Sequence, residues 1–441
     1  MTEPRRPPPR RALGRLFADT TPLRRSVPYR WLYGGELISN IGRQITVVAV
    51  PYQIFEMTGS SLAVGLVGLA QVVPLIICSL VGGSIADAVD RRRLMLVMQC
   101  LLAVTGAGLA FNAAHAQPAL WPLYVLTGVQ AGLFAIDQPT RTAVIPSLVA
   151  PRDLTSAFAL QQLVSQGGQA VGPAIAGVVI AQTGLATAYA IDTASFAVAA
   201  LLLLPLGPRP PVGGGRRAGL ASVMEGLRFL RSRRVLQATF VIDLNAMIFG
   251  MPRALFPALG AQLFGGGAQV VGLLFAAPGT GALIGAALSG WVTHVRRQGL
   301  AVVAAVCVWG VAVALAGLTP WLWFALAMLA TAGAADVVSA VFRSTILQQS
   351  VPDALRGRLS AVNIAVVAGG PRLGDVEAGA AAAVVGAQGS VVSGGLACLV
   401  GAAVIARRYP QLLAYVAPTG AGGQAAAARP DAPATPTGDG A

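Results

Sequence analysis

The chain has 441 residues, 55% of them hydrophobic and 11% charged, with a mean hydropathy of +0.69. Soluble domains carry about 25% charged residues, so this composition excludes an ordinary soluble enzyme and points to a membrane protein. A net charge of +14 invites a nucleic-acid reading, but the basic residues cluster in alternate gaps between apolar runs, which is the pattern of membrane topology.

The first 28 residues form an Arg- and Pro-rich tail without the apolar stretch of a cleavable signal. Apolar runs of about 20 residues, the length that crosses a bilayer, then predict twelve spans. They lie at 31–54, 61–86, 94–114, 120–139, 157–181, 185–206, 236–262, 268–293, 299–318, 320–347, 359–385 and 388–406. Six spans make an N-terminal bundle over 29–206 and six a C-terminal bundle over 236–410. The linker 207–235 opens as a Pro/Gly stretch and closes as a basic amphipathic helix with Leu227 and Leu230 on one face. The tail 411–441 is low-complexity and is expected to be disordered.

All 31 basic residues are arginine. Placing Arg43, Arg253 and Arg372 inside spans, and counting Arg343 at the end of span 10 with the gap that follows it, leaves the rest in segments that share one side, and no arginine falls in a gap on the other. Positive charge marks the cytoplasmic side, so both termini are expected in the cytoplasm and the lipid bilayer is the chain's first partner.

The two halves repeat. "VGLVGLAQVVPLI" matches "VGLLFAAPGTGALI", carrying Gly83 onto Gly290, and "DQPTRTAVIPSLV" matches "SAVFRSTILQQSV", carrying Arg141 onto Arg343. A duplicated six-helix unit is the architecture of transporters that bind substrate between their halves and rock them. The chain has two histidines, His115 and His294, and no Ser-His-Asp, metal or phosphate-loop spacing. No catalytic residue, metal or cofactor is therefore expected.

In "GGSIADAVDRRRL", Gly83 lies at the end of span 2, and Asp87, Asp90, Arg91, Arg92 and Arg93 fall between spans 2 and 3. They resemble the loop signature of the major facilitator superfamily, which usually has Gly where Asp90 sits and a basic residue where Ala88 sits. The resemblance implies a conformational latch: Asp87 accepting from the N-terminal amides of span 11, and Arg91 reaching Asp137 at the end of span 4, when the halves close on the cytoplasmic side. In span 5, Gly168, Gly172, Pro173 and Gly177 of "GGQAVGPAIAG" resemble the pattern of that superfamily's exporter (antiporter) branches. Small residues there permit close helix packing and the proline a kink.

The wider chain is similar to the bacterial siderophore-exporter branch over most of residues 28–410, through stretches such as "AVPYQIFEMTGSSLAVGLVG" and "DALRGRLSAVNIAVVAGG". The resemblance implies an all-α membrane protein of the bacterial cytoplasmic membrane, with twelve transmembrane helices in two pseudo-symmetric halves, acting as a monomer. It implies export of a siderophore-like or amphipathic organic molecule in exchange for protons. A multidrug pump of the same fold is the alternative.

A charge at mid-bilayer costs about 2.5–3.5 kcal/mol on insertion scales, so acids inside spans should be paired, wet or protonated. The family's cavity is lined by spans 1, 4, 7 and 10, which makes Glu36, Asp243 and Asp336 candidates by position. Glu36 and Arg43, about two turns apart, can face one cavity, and Asp243 lies near the repeat equivalent of Glu36. Both acids are read as proton-linked carboxylates or as partners of a neighbouring arginine. In span 11, Arg372 and Asp375 can pair on one face while Glu377 points elsewhere; this segment forms a binding or proton site, or an interlock. Arg43, Arg253 and Arg372 together favour an anionic or catechol-rich substrate.

Overall fold

The computed structural model describes residues 19–210, 228–231, 233–351 and 353–416. Among them the regular structure is entirely helical. Twelve crossings are traced: span 1 is Val27–Thr58, span 2 Ser61–Ala88, span 3 Arg91–Ala114 and span 4 Trp121–Leu148. Spans 5 and 6 divide Leu154–Leu203, span 7 comprises Arg234–Phe249 and Phe256–Gln262, and span 8 is Ala268–Ala287. Span 9 is Gln298–Leu318, span 10 Leu322–Ser350, and spans 11 and 12 divide Asp353–Arg408. The even number of crossings places both described ends of the chain at one end of the bundle, here the terminal end; the opposite is the far end.

Local chemistry sets the boundaries. Ser26, Ser60 and Asp90 cap the first turns of spans 1, 2 and 3 by accepting the N–H groups of Tyr29, Ala63 and Arg93. Spans 5 and 6 turn at Gly184, with φ +81°, and spans 11 and 12 at Gly386, with φ +77°. Positive φ is costly for any other residue, and these glycines occupy equivalent places in the two repeats.

Among the described residues, eight stretches are long and apolar enough to cross a membrane, and two of them, Pro151–Leu203 and Val366–Arg408, hold two crossings each. Spans 1 and 4 fall outside this set. They carry Asn40, Arg43 and Gln44, and Gln130, Asp137 and Gln138, and both face the central cavity.

Several boundaries differ from expectation. Span 4 runs on to Leu148 through Pro139 and Pro146, so Asp137 and Arg141 lie inside the helix. Arg141 and Arg343, counted above with the cytoplasmic segments, are buried side chains within spans 4 and 10. Tyr29, near the start of span 1, is buried and donates to the Ala157 carbonyl at 2.8 Å. Leu230 packs against the base of the C-terminal bundle with Leu236, Val351 and Leu359. Residues 1–18, Leu227 and most of the linker, and 417–441 lie outside the described residues, as do the side chains of Gly83 and Asp87.

Candidate functional site

The halves meet from mid-span to the far end. A Cβ on Gly177 would stand 2.6 Å from the Ala268 carbonyl, and one on Gly272 2.5 Å from that of Pro173, so spans 5 and 8 touch through backbone. Spans 2 and 11 meet likewise: a Cβ on Gly65 would run into the Asp375 carbonyl, and one on Gly379 would lie 2.6 Å from that of Ser61. In lipid no hydrophobic gain drives helices together, so such contacts rest on close packing of small residues. Gly168 and Gly172 abut Asn40 and Gln44 of span 1, so the exporter-type motif packs span 5 on span 1 at one end and on span 8 at the other.

Toward the terminal end the halves part around a cavity of about 1000 Å³, at the top of the range for small-molecule sites (about 300–1,000 Å³). Span 4 exposes Gln138, Pro139 and Thr142 there. Both halves line it, the N-terminal with Arg43, Gln71, Gln130 and Phe134, the C-terminal with Arg253, Arg372 and Asp375. Arg43 donates to Asn40 Oδ1 at 2.9 Å and lies 5.0 Å over the Phe134 ring. Three arginines against one carboxylate make the wall electropositive.

Span 7 is broken between Phe249 and Arg253, where a continuous span was expected. The sequence Gly250-Met251-Pro252 frees backbone groups that lipid cannot satisfy. Buried Trp309 donates to the Gly250 carbonyl at 2.7 Å, and Asp375 accepts the Ala254 N–H at 3.1 Å. The Arg372–Asp375 pair expected from their spacing is thus not an ion pair: Asp375 caps span 7, and Arg372 reaches across to Gln71 Oε1 at 3.2 Å.

Each half also holds buried charge behind the cavity. In the N-terminal half Arg141 grips Asp137 at 2.6 Å, and Gln99 donates to the same carboxylate at 3.1 Å. Arg91 donates to the Ala143 carbonyl at 3.0 Å, and Arg92 caps the end of span 6 at the Leu203 and Leu204 carbonyls. Glu36 sits within electrostatic reach of Arg141 and accepts from Gln161 at 3.4 Å. It is buried and off the cavity wall, whereas Arg43 is on it. Both terminal nitrogens of Arg141 are buried without a hydrogen-bond partner.

In the C-terminal half Arg343 pairs with Asp243 and approaches Asp336 at 3.9 Å. Arg141 and Arg343 are repeat equivalents and Asp243 lies near the equivalent of Glu36, so in each half an acid of the first span stands by an arginine of the fourth. Sequence reasoning missed both arginines as functional groups, although the repeat alignment that paired them was the signal. Asp192 is held by Thr46 at 2.5 Å, and Glu377 is half-buried and off the cavity wall.

Residues 18–415 match the family model described as transmembrane secretion effector. The chain belongs to this family of major facilitator proteins. The enterobactin exporter of Shigella boydii is 31% identical over 333 residues, covering 75% of this chain and 80% of the relative. That of Citrobacter koseri is 30% identical over the same coverage. Among solved structures, the nucleoside transporter NupG superposes with a TM-score of 0.71 at 12% identity, covering 87% of this chain and 99% of that one. A bacterial homolog of the human lysosomal transporter Spinster gives 0.67 at 15%, covering 87% and 97%. These transporters share the fold of the present chain, and the major facilitator architecture accounts for its duplicated halves and the cavity between them.

Proposed function

We propose that the protein is a secondary exporter of the bacterial cytoplasmic membrane. It moves a siderophore-like or amphipathic organic molecule outward, in exchange for protons, by alternating access. The observation that carries this reading is the cavity shared by both halves and walled by Arg43, Arg253 and Arg372, a lining suited to an anionic ligand. Similarity to enterobactin exporters supports the direction and the substrate class.

The arginine distribution supports a cytoplasmic terminal end, with the cavity facing the compartment from which an exporter loads. In this state Arg91 and Arg92 bind within the N-terminal half. When the cytoplasmic end closes, Asp87 meets the start of span 11 and the latch forms. Asp87→Asn then slows transport without affecting insertion. Glu36 and Asp243 are the carboxylates that exchange protons.

A deletion strain tests the substrate class. Loss of secreted iron chelator under iron starvation supports the siderophore reading. Normal chelator secretion with new sensitivity to dyes and antibiotics replaces it with the multidrug alternative, for which the apolar lining of Val47, Val50, Leu75 and Phe275 is suited.

A further inference from the structure

The Asp243–Arg343–Asp336 cluster stands apart from the substrate cavity: none of the three lines it. Instead the cluster separates two small pockets of about 60 Å³ each, room for one or two waters at roughly 30 Å³ apiece. The terminal-side pocket is walled by Asp243, Arg343, Ser344 and Asn363. The other is walled by Asp336, Arg253, Gln169 and Trp309. Arg253 and Gln169 line that pocket and the substrate cavity alike.

Two acids share one arginine. With both ionised, the cluster carries a net negative charge inside the protein, which is costly at membrane depth; with one proton it is neutral. Arg343 can fully engage one acid at a time, at Asp243 in this structure and 3.9 Å from Asp336. The charged groups facing the cluster are Arg343 itself and, beyond Asp336, Arg253, which Asp375 of span 11 in turn faces.

We propose that Asp336, Arg343 and Asp243 form a proton relay through the C-terminal half, physically separate from the substrate path and coupled to it through Arg253. An O–H bond of a hydronium ion in the inner pocket breaks, leaving water, as one forms on Asp336, and Arg343 rests on Asp243, as seen here. The O–H bond on Asp336 then breaks as one forms on Asp243. Arg343 stays charged throughout and turns to Asp336, and Asp243 gives its proton to water in the terminal-side pocket. Each loading of Asp336 changes the field at Arg253 and so at the cavity wall. This rests on the proton exchange proposed above and adds its route.

The test needs no substrate. Spin labels on Arg152→Cys and Arg296→Cys, in the full chain with its native cysteines replaced and reconstituted in bilayers, report the separation of the halves at the terminal end. Acidification is expected to shift the distance distribution of the otherwise wild-type chain. Asp336→Asn and Asp243→Asn should each abolish the shift, and Arg343→Lys, which keeps charge but loses the fork, should reduce it. An Asp336→Asn chain that shifts as fully as wild type overturns the relay while leaving proton exchange standing. A wild-type chain that ignores pH overturns both.

Discussion

Asp375 of span 11 accepts the backbone N–H of Ala254 at 3.1 Å, and this one bond joins a carboxylate on the cavity wall to the break in span 7. The carboxylate satisfies a donor that lipid leaves unpaired and occupies the place that an anionic ligand takes at other half-helix termini. Asp375→Asn keeps the shape and removes the charge. It should lower stability against denaturant by about 1–2 kcal/mol, because a bond to a charged group is replaced by a neutral one. A midpoint equal to wild type would show the cap to be idle.

The other side of the break depends on Trp309, whose indole N–H meets the Gly250 carbonyl at 2.7 Å. Trp309→Phe retains most of the apolar bulk and leaves that carbonyl unpaired, at a cost of about 1–3 kcal/mol. Thermal unfolding of the purified protein measures it, and an unshifted transition would contradict the assignment.

Gly177 touches the Ala268 carbonyl and the Gly272 Cα across the interface of spans 5 and 8. Gly177→Val therefore forces the halves apart at the far end. Membrane insertion and expression should remain normal while transport falls at least about tenfold, equivalent to roughly 1.4 kcal/mol of closure free energy. Full transport by the valine variant would show that this contact takes no part in the cycle.

Asp90, the departure from the loop signature, caps span 3 through Arg93 and also accepts the Arg209 N–H at 2.5 Å, fastening the start of the linker to the N-terminal bundle. Asp90→Ala should cost about 1 kcal/mol, the usual worth of an N-cap. Asp90→Gly, restoring the residue usual in the superfamily, should recover most of the capping loss and none of the linker contact. Denaturant titrations of the two variants separate these contributions; equal losses would assign the whole effect to the linker.

The span pattern was legible because apolar runs of bilayer length are a strong signal, and the repeat was legible through Gly83 with Gly290 and Arg141 with Arg343. The ends of spans were harder to place. Span 4 continues through Pro139 and Pro146, since neighbouring helices can accommodate the lost bonds, and that hid Arg141 inside the membrane. Arg43, Arg253 and Arg372 were read together in the sequence, and with Asp375 they line one cavity. Their partners were not, because spacing along one helix suggests Arg372–Asp375 while the tertiary fold supplies Gln71 and Ala254. The break in span 7 is written in Gly250-Met251-Pro252, but the groups that repair it come from spans 9 and 11.

The central claim, proton-driven outward transport, is tested most directly in inside-out membrane vesicles acidified internally by respiration, with enterobactin as the probe. Wild-type vesicles should accumulate enterobactin against its gradient and lose it when a protonophore collapses the pH difference, and Glu36→Gln vesicles should show no dependence on that difference. Accumulation by the wild type that is the same with and without the pH gradient would contradict the account.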